Sequence, residues 1–453
     1  MVNRKQAKNL FMASYIALKL SVSYMKDVNA SIITIGDELL IGQTIDTNSA
    51  FIGQELNKIG IWVKKRIAVG DVREEILGVL KAEADENDII IITGGLGPTA
   101  DDITKPTLCE FFNTSLAIDG EALRNVTDIF TKIGRPLIER NLRQAEVPSN
   151  CIVLQNKRGT APGMWWGPER DKERDSLNNS STIFISLPGV PHEMKGLMTD
   201  SVIPRLKEVL ELPAVLHRTL LTSGIGESML AETIQEYETH LPPHIKLAYL
   251  PAYGLVRLRL TVRMDHKEEA HNEIDRYFNL LKPLITNWIV AEEDIPIEEA
   301  VSRLLRSGNK TVATAESCTG GYIAHLLTFI AGASDIYNGS VVSYAYEAKE
   351  DLLHVKRSTL DQWGAVSEQT VKEMTEGILK TMKTDYAIAT SGIMGPGGGT
   401  LEKPAGTVWI AVGNHRKIKT LKTFFRFDRK RNIEMTAHTA LTMLYRFIQE
   451  QEV

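Results

Sequence analysis

Asp88–Phe112 reads DIIIITGGLGPTADDITKPTLCEFF. The run Ile89–Ile92 is apolar at every position and wholly β-branched, so it predicts a strand covered on both faces rather than one side of a helix. The glycines and proline that follow break it, and from Thr104 the pattern turns helical. The same alternation continues outward. SIITIGDELLIG (31–42) is a second buried strand ending in the polar turn Gly36-Asp37-Glu38. DTNSAFIGQELNKIG (46–60) reads as a helix capped by Asn48 or Thr47 and stopped by Gly60. IWVKKRIAVGD (61–71) is the next strand and REEILGVLKAEADEN (73–87) the next helix. Apolar strands alternating with helices predict an α/β fold, a largely parallel sheet with helices on both faces. In its central turn, Gly94, Gly95 and Gly97 permit close approach of a phosphate. Asp101 and Asp102 either hold a divalent metal that bridges phosphates or cap the helix that follows.

AESCTGGYIA (315–324) opens the chemistry of the last third of the chain. An apolar β-type run precedes it, and Tyr322, Ile323, Leu326, Leu327 and Ile330 follow at helical spacing, which puts Ser317 on a strand-to-helix turn. Such a hydroxyl is either an N-cap or a nucleophile whose oxyanion meets helix N-terminal amides. NGSVVSYAYEAK (338–349) reads as a strand over 340–346 running into a helix, with Tyr344 and Lys349 at the strand end. A Lys buried near a Ser can serve as its base, because desolvation lowers the ammonium pKa. ATSGIMGPGGGT (389–400) places Gly392, Gly395, Gly397 and Gly398 after a third buried strand. Cys318 is a rival nucleophile beside Ser317. Ser367 caps a helix in WGAVSEQTVKEM, GTVWIAVG and KTFFRF pair as late strands, and Arg429 or Arg431 is placed to meet a phosphate.

SCTGG, SYAYEAK, TSGIMGPGGG and KPAGTVW together resemble the C-terminal amidohydrolase domain of the CinA (competence/damage-inducible protein) family, over about residues 296–450. GDELLIG, DTN, TGGLGPTADDIT and LPGVPHEM resemble the molybdopterin-binding fold found at the N-terminus of that family. The resemblance implies an N-terminal molybdopterin-binding-like α/β sandwich (29–214) behind an extension (1–28), a small α+β KH-like connector (215–294) and an α/β amidohydrolase domain (295–453). It implies deamidation of nicotinamide mononucleotide without a metal or other cofactor: Ser317 attacks, Lys349 is the base, Tyr344 orients or relays, amides of Thr319, Gly320 and Gly321 meet the oxyanion, and the glycines of 392–398 shape the ribose-phosphate pocket. For the first domain it implies metal-dependent ADP-ribose pyrophosphatase activity, with Asp102 essential and Asp37, Asp101 and Glu193 beside it on a divalent ion. The alternative is a non-catalytic molybdopterin-binding or competence-associated protein.

With 453 residues, 43% hydrophobic, the chain has enough apolar material for several cores. A net charge of −5 gives no electrostatic reason to expect nucleic acid. In the connector, Gly224-Ile225-Gly226-Glu227 carries an acid where an RNA-binding GXXG loop is basic. VRLRLTVRM puts Arg257, Arg259 and Arg263 on one sheet face, read as solvated. Three scattered cysteines indicate neither a disulfide framework nor a zinc site. Residues 1–24 are too short and polar to span a membrane, and the protein is expected to be cytoplasmic and to pair as a homodimer. The run 165–182 is charged, without periodicity, and expected to be a solvated insertion.

Overall fold

The computed structural model describes residues 27–99, 102–168 and 182–452. Asp101, most of the N-terminal extension and most of the charged 165–182 run lie outside the described residues. The chain divides into two compact units, one up to Leu216 together with Val262–Glu273, the other His217–Thr261 together with the residues from Ile274 onward. Among the described residues, no helix is long and apolar enough to cross a membrane.

The first unit is built on β1 (Asn29–Ile35), α1 (Thr47–Lys58), β2 (Trp62–Val69), α2 (Arg73–Ala84), β3 (Ile89–Thr93) and α3 (Thr104–Phe111), followed by β4 (Ile152–Leu154), β5 (Gly163–Trp166), β6 (Ile183–Leu187) and α4 (Pro191–Leu197). The sheet order is β2-β1-β3-β6-β5-β4. Its first four strands are parallel, β5 runs antiparallel to β6, and β4 runs antiparallel to β5 and so with the first four. The isoleucine run explains why the sheet is covered twice. Ile89 and Ile91 join one core with Ile52 and Leu56 of α1, while Ile90 and Ile92 join the other with Ile76 and Leu80 of α2. Successive residues of a strand face opposite sides, so four apolar residues in a row need two cores. The cap of α1 is Asp46, whose Oδ1 accepts from the Ser49 amide at 2.8 Å, rather than Thr47 or Asn48. Asn48 instead ties α1 to the site end of the sheet, donating to the Thr93 hydroxyl and the Gly189 carbonyl.

The connector forms a four-stranded sheet from β7 (Ala214–Ser223), β8 (Ile245–Ala252), β9 (Leu255–Met264) and β10 (Ile289–Ala291), in the order β8-β9-β7-β10. On β9, Leu258, Leu260 and Val262 are fully buried and Arg257, Arg259 and Arg263 are half-buried on the opposite face. The third part contains α5 (Ile297–Ser307), β11 (Val312–Glu316), α6 (Tyr322–Thr328), β12 (Tyr337–Val342), α7 (Tyr346–Leu353), α8 (Glu368–Met382), β13 (Tyr386–Gly392), β14 (Thr407–Asn414), β15 (Ile418–Phe424) and α9 (Arg429–Glu452). The sheet order is β12-β11-β13-β14-β15, with β12, β11 and β13 parallel. Here too the strands serve two cores: Val312 and Ile388 face α5 and α9, and Ala313, Ala315, Ala387 and Ala389 face α8. From β11 the chain first crosses to β12 on one side and then to β13 on the other. The carboxyl end of β11 is therefore the point where the winding reverses, where open α/β sheets bind ligands.

Candidate active site

Ser317 leaves β11 at that reversal. Its amide donates to Thr390 of β13 at 3.0 Å and the Gly320 amide donates back to its carbonyl at 3.2 Å, which closes a tight turn. Gly320 and Gly321 both take left-handed backbone angles, φ 61° and 96°, which a side chain would oppose. Ser317 caps no helix. The N-terminus of α6 is met by Glu316, fully buried one residue earlier. Glu316 Oε2 accepts from the amides of Gly321 (3.0 Å) and Ile323 (3.1 Å) and from the Thr319 hydroxyl (2.7 Å), while Oε1 accepts from the Ala324 amide (2.8 Å) and the Thr314 hydroxyl (3.1 Å). A buried carboxylate at a helix N-terminus gains from both the orphan donors and the dipole. This corrects the expectation for two of the three amides. The Gly321 amide is spent on Glu316 and the Gly320 amide on the Ser317 carbonyl, while the Thr319 side chain points inward to Glu316 and the Thr390 hydroxyl. With the Ser317, Gly320 and Tyr322 amides also engaged, the Cys318 and Thr319 amides are the uncommitted donors of the turn among the described residues.

Lys349, on the second turn of α7, is fully buried. Its Nζ lies 3.1 Å from Ser317 Oγ, 2.6 Å from the Ser343 carbonyl and 3.3 Å from the Tyr344 carbonyl. Burial lowers its pKa to about 8. A neutral amine has two N–H bonds and one lone pair. When the amine is neutral, the two carbonyls accept its two N–H bonds and the lone pair is left for Ser317 Oγ; when it is charged, Nζ donates to all three oxygens. Tyr344 contributes to this cradle by its carbonyl alone. Its ring is 65% exposed, and its hydroxyl accepts from Arg429 at 3.2 Å rather than touching the dyad. The expected orienting or relaying phenol is thus corrected to a backbone contact. The strand ends at Val342, before Tyr344, because Ser343 turns inward and donates its amide to the Glu316 carbonyl. Cys318 is buried, and desolvation pushes its thiol up to about 12. It is not the thiolate that a rival nucleophile requires.

The glycines after β13 divide. Gly392 is paired in the sheet, where an added Cβ would meet Val408 at 2.8 Å and the Thr407 carbonyl at 2.9 Å, so packing accounts for it. Gly397 and Gly398 face open space or ordinary contacts, and the Gly395 carbonyl accepts from Arg429 at 3.0 Å. Arg429 thus joins the Gly-rich loop to Tyr344 at the mouth of the site. A cavity of about 420 Å³ opens beside the Ser317 turn, walled by Thr319, Gly320, Gly321, Tyr322, Lys430 and Glu434.

In the first unit the expected metal ligands do not converge. Asp102 turns back on its own loop and accepts from the amides of Gly97 (2.9 Å) and Thr99 (3.0 Å) and from the Thr99 hydroxyl. Glu193 accepts from Asn156 at 2.6 Å, and burial raises its pKa. The loop glycines are spent on packing as well: Gly94 lies against the Ile35 carbonyl, Gly95 against the Thr104 hydroxyl and Gly97 against the Asp102 carboxylate. Among the described residues, no group of three or more His, Cys, Asp or Glu is arranged to hold a metal ion. Sequence reading missed Asp71, at the end of β2. Its amide donates to Asp37 Oδ1 at 3.2 Å, and its own carboxylate accepts from the Asp37 amide at 3.3 Å. Burial raises its pKa, and the charges of Asp37, Glu38 and Asp102 add to the rise. This neighbourhood of carboxylates sets Asp71 apart from Glu193, whose carboxylate is bonded to Asn156. The signal was present in Gly70-Asp71, which ends its strand at the same sheet edge as Gly36-Asp37.

Three family profiles match the chain. The CinA C-terminal domain covers residues 294–448, a "probable molybdopterin binding domain" covers 31–208, and the damage-inducible protein CinA KH domain covers 217–291. A CinA-like protein of Cytophaga hutchinsonii is 45% identical over 93% of this chain and 99% of its own length. A CinA-like protein of Flavobacterium psychrophilum is 44% identical over the same shares. Among solved structures, a competence-damaged protein (CinA) superfamily member from Klebsiella pneumoniae is 37% identical, covers 34% of this chain and 96% of its own, and has a TM-score of 0.33. The three profiles follow one another along the chain and two full-length relatives align from end to end of their own sequences: the chain belongs to the CinA family, with a molybdopterin-binding-like domain, a KH-like connector and a CinA C-terminal domain.

Proposed function

We propose that the third part of the chain is an amidohydrolase that converts the carboxamide of nicotinamide mononucleotide to the carboxylate, releasing ammonia. The observation that carries this reading is the buried Lys349 amine, held by two carbonyls with its Nζ 3.1 Å from Ser317 Oγ. The choice of substrate rests on the family resemblance of the motifs around it. Ser317 Oγ attacks the carboxamide carbon while its proton passes to Lys349 Nζ. The oxyanion is met by the Cys318 and Thr319 amides. The C–N bond breaks as Lys349 returns the proton to the departing nitrogen, which leaves an acyl ester on Ser317. Water then attacks that ester, giving its proton to Lys349, and the carboxylate and the Ser317 hydroxyl are regenerated. Arg429 and the open Gly397-Gly398 backbone suit the phosphate of the nucleotide. The test is ammonia release from nicotinamide mononucleotide by the full chain and by Ser317→Ala. Release that survives in Ser317→Ala would sink the reading.

A second activity, metal-dependent cleavage of ADP-ribose in the first unit, is favoured by the crowded Asp37–Asp71 edge. The chemistry a divalent ion supplies there is charge neutralisation on the pyrophosphate. The residues on this chain that would hold it are Asp37 and Asp71, with Glu38 beside them, rather than Glu193. Cleavage that resists a chelator would overturn it.

A further inference from the structure

The Asn414–Lys417 hairpin joins β14 to β15 at the end of the sheet away from Ser317. Asn414 pairs with Tyr386, the first residue of β13, whereas the Ser317 amide bonds Thr390 near that strand's other end. Between the hairpin and α8 lies a cavity of about 390 Å³, within the range of small-ligand sites. Its wall carries Lys372 and Lys380 from α8 and His415, Arg416 and Lys417 from the hairpin, against the single carboxylate of Glu376.

The spacing accounts for part of this charge. Lys372, Glu376 and Lys380 stand four residues apart on one face of α8, and Lys372 is also 2.6 Å from Glu368. Lys380 lies in the last turn, where a cation complements the helix dipole. Arg416 has no such reason to be there, and Lys417 acts only on the exposed Glu450, whose pKa it helps to lower. The Asn414 side chain accepts from both their amides at 2.9 Å, and His415 Nε2 meets the Thr384 carbonyl at 3.1 Å, so the hairpin is held against the end of α8. Among the described residues, neither Lys380 nor Arg416 forms a salt bridge. Cations gathered in a concave site with a single carboxylate repel one another, and a multivalent anion relieves that repulsion.

We propose that this cavity binds a small polyphosphate anion, such as inorganic pyrophosphate or the phosphate chain of a nucleoside polyphosphate, at a site separate from the Ser317 centre. The concave shape favours a compact ligand over a strand of nucleic acid, which needs an extended basic track. The test is calorimetric titration of the full chain with inorganic pyrophosphate at fixed ionic strength, compared with Lys380→Glu/Arg416→Glu and with Ser317→Ala. Both substituted side chains are exposed, so the double variant should fold, with its melting temperature lowered only by the loss of the Lys380 charge at the end of α8. Saturable binding that weakens about tenfold or more in the double variant and is unchanged in Ser317→Ala is expected, since each charge-assisted bond is worth roughly a decade or more. No binding, or equal binding by wild type and double variant, overturns the proposal. A single-stranded oligonucleotide that binds more tightly than pyrophosphate, and is lost in the same variant, overturns it in favour of a nucleic-acid surface. The measurement does not depend on amide hydrolysis, so it stands or falls apart from that reading.

Discussion

Lys349 Nζ and Ser317 Oγ meet at 3.1 Å across 32 residues of sequence, both inside the protein. Among the described residues no carboxylate pairs with Lys349 to explain its burial. A lysine in such a place lowers stability unless it sheds its proton, so the pair has the character of a functional site rather than a structural one.

If the two act as one unit, Ser317→Ala and Lys349→Ala each lose about as much turnover as the double variant, on the order of a thousandfold or more. Lys349→Arg fails equally, because guanidinium keeps its proton. Steady-state ammonia release on the four proteins decides. Multiplying rather than saturating losses would separate the two roles.

The pH dependence has a definite sign. Lys349 has its folded pKa lowered to about 8, so the neutral base is scarce below that pH and abundant above it. Turnover should rise through about pH 8 and level off. Between about 8 and the ordinary 10.5 the unfolded chain binds a proton the folded chain does not, so stability from this group rises with pH across that window and its penalty is complete below it. Lys349→Met should therefore raise the melting temperature at pH 7 while abolishing turnover. A lower melting temperature with Met would show that the lysine is structurally required.

Glu316 has five hydrogen-bond donors on two oxygens. Gln keeps the shape but sets an N–H₂ group against backbone N–H donors. Glu316→Gln should cost about 2–3 kcal/mol of stability and reduce turnover by displacing the Ser317 turn. Thermal unfolding and ammonia release on one preparation check both, and a variant indistinguishable from wild type would show that the turn holds itself.

For the first unit, Asp71→Asn should reduce chelator-sensitive ADP-ribose cleavage more than Glu193→Gln, because Asp71 stands among Asp37, Glu38 and Asp102 while Glu193 is bonded to Asn156. Asp102→Asn should mainly loosen its loop, at about 1–2 kcal/mol, since its carboxylate is occupied by the Gly97 and Thr99 amides. The reverse order of effects would place Glu193, and not Asp71, at the metal.

The alternation of apolar runs and helical spacing determined the α/β class, the doubly covered sheets and the strand-to-helix position of Ser317, because these follow from local side-chain period and backbone propensity. So did the cap at Ser367, which accepts from the Thr370 amide at 3.2 Å. The three-part layout was legible in motif resemblance. The partners of each polar atom were not. Glu316 is adjacent to Ser317 in sequence, yet only the fold shows that its carboxylate takes the helix amides. Tyr344 and Lys349 stand five residues apart, but the turn after Val342 sends the lysine inward and the phenol outward to Arg429, a residue 85 positions away. Asp37 and Asp71 come together because β1 and β2 are parallel neighbours, whereas Glu193, at the start of α4, is captured by Asn156. Period and propensity act over a few residues. Which donors meet which acceptors is set by strand order and helix packing, contacts that no local stretch of sequence contains.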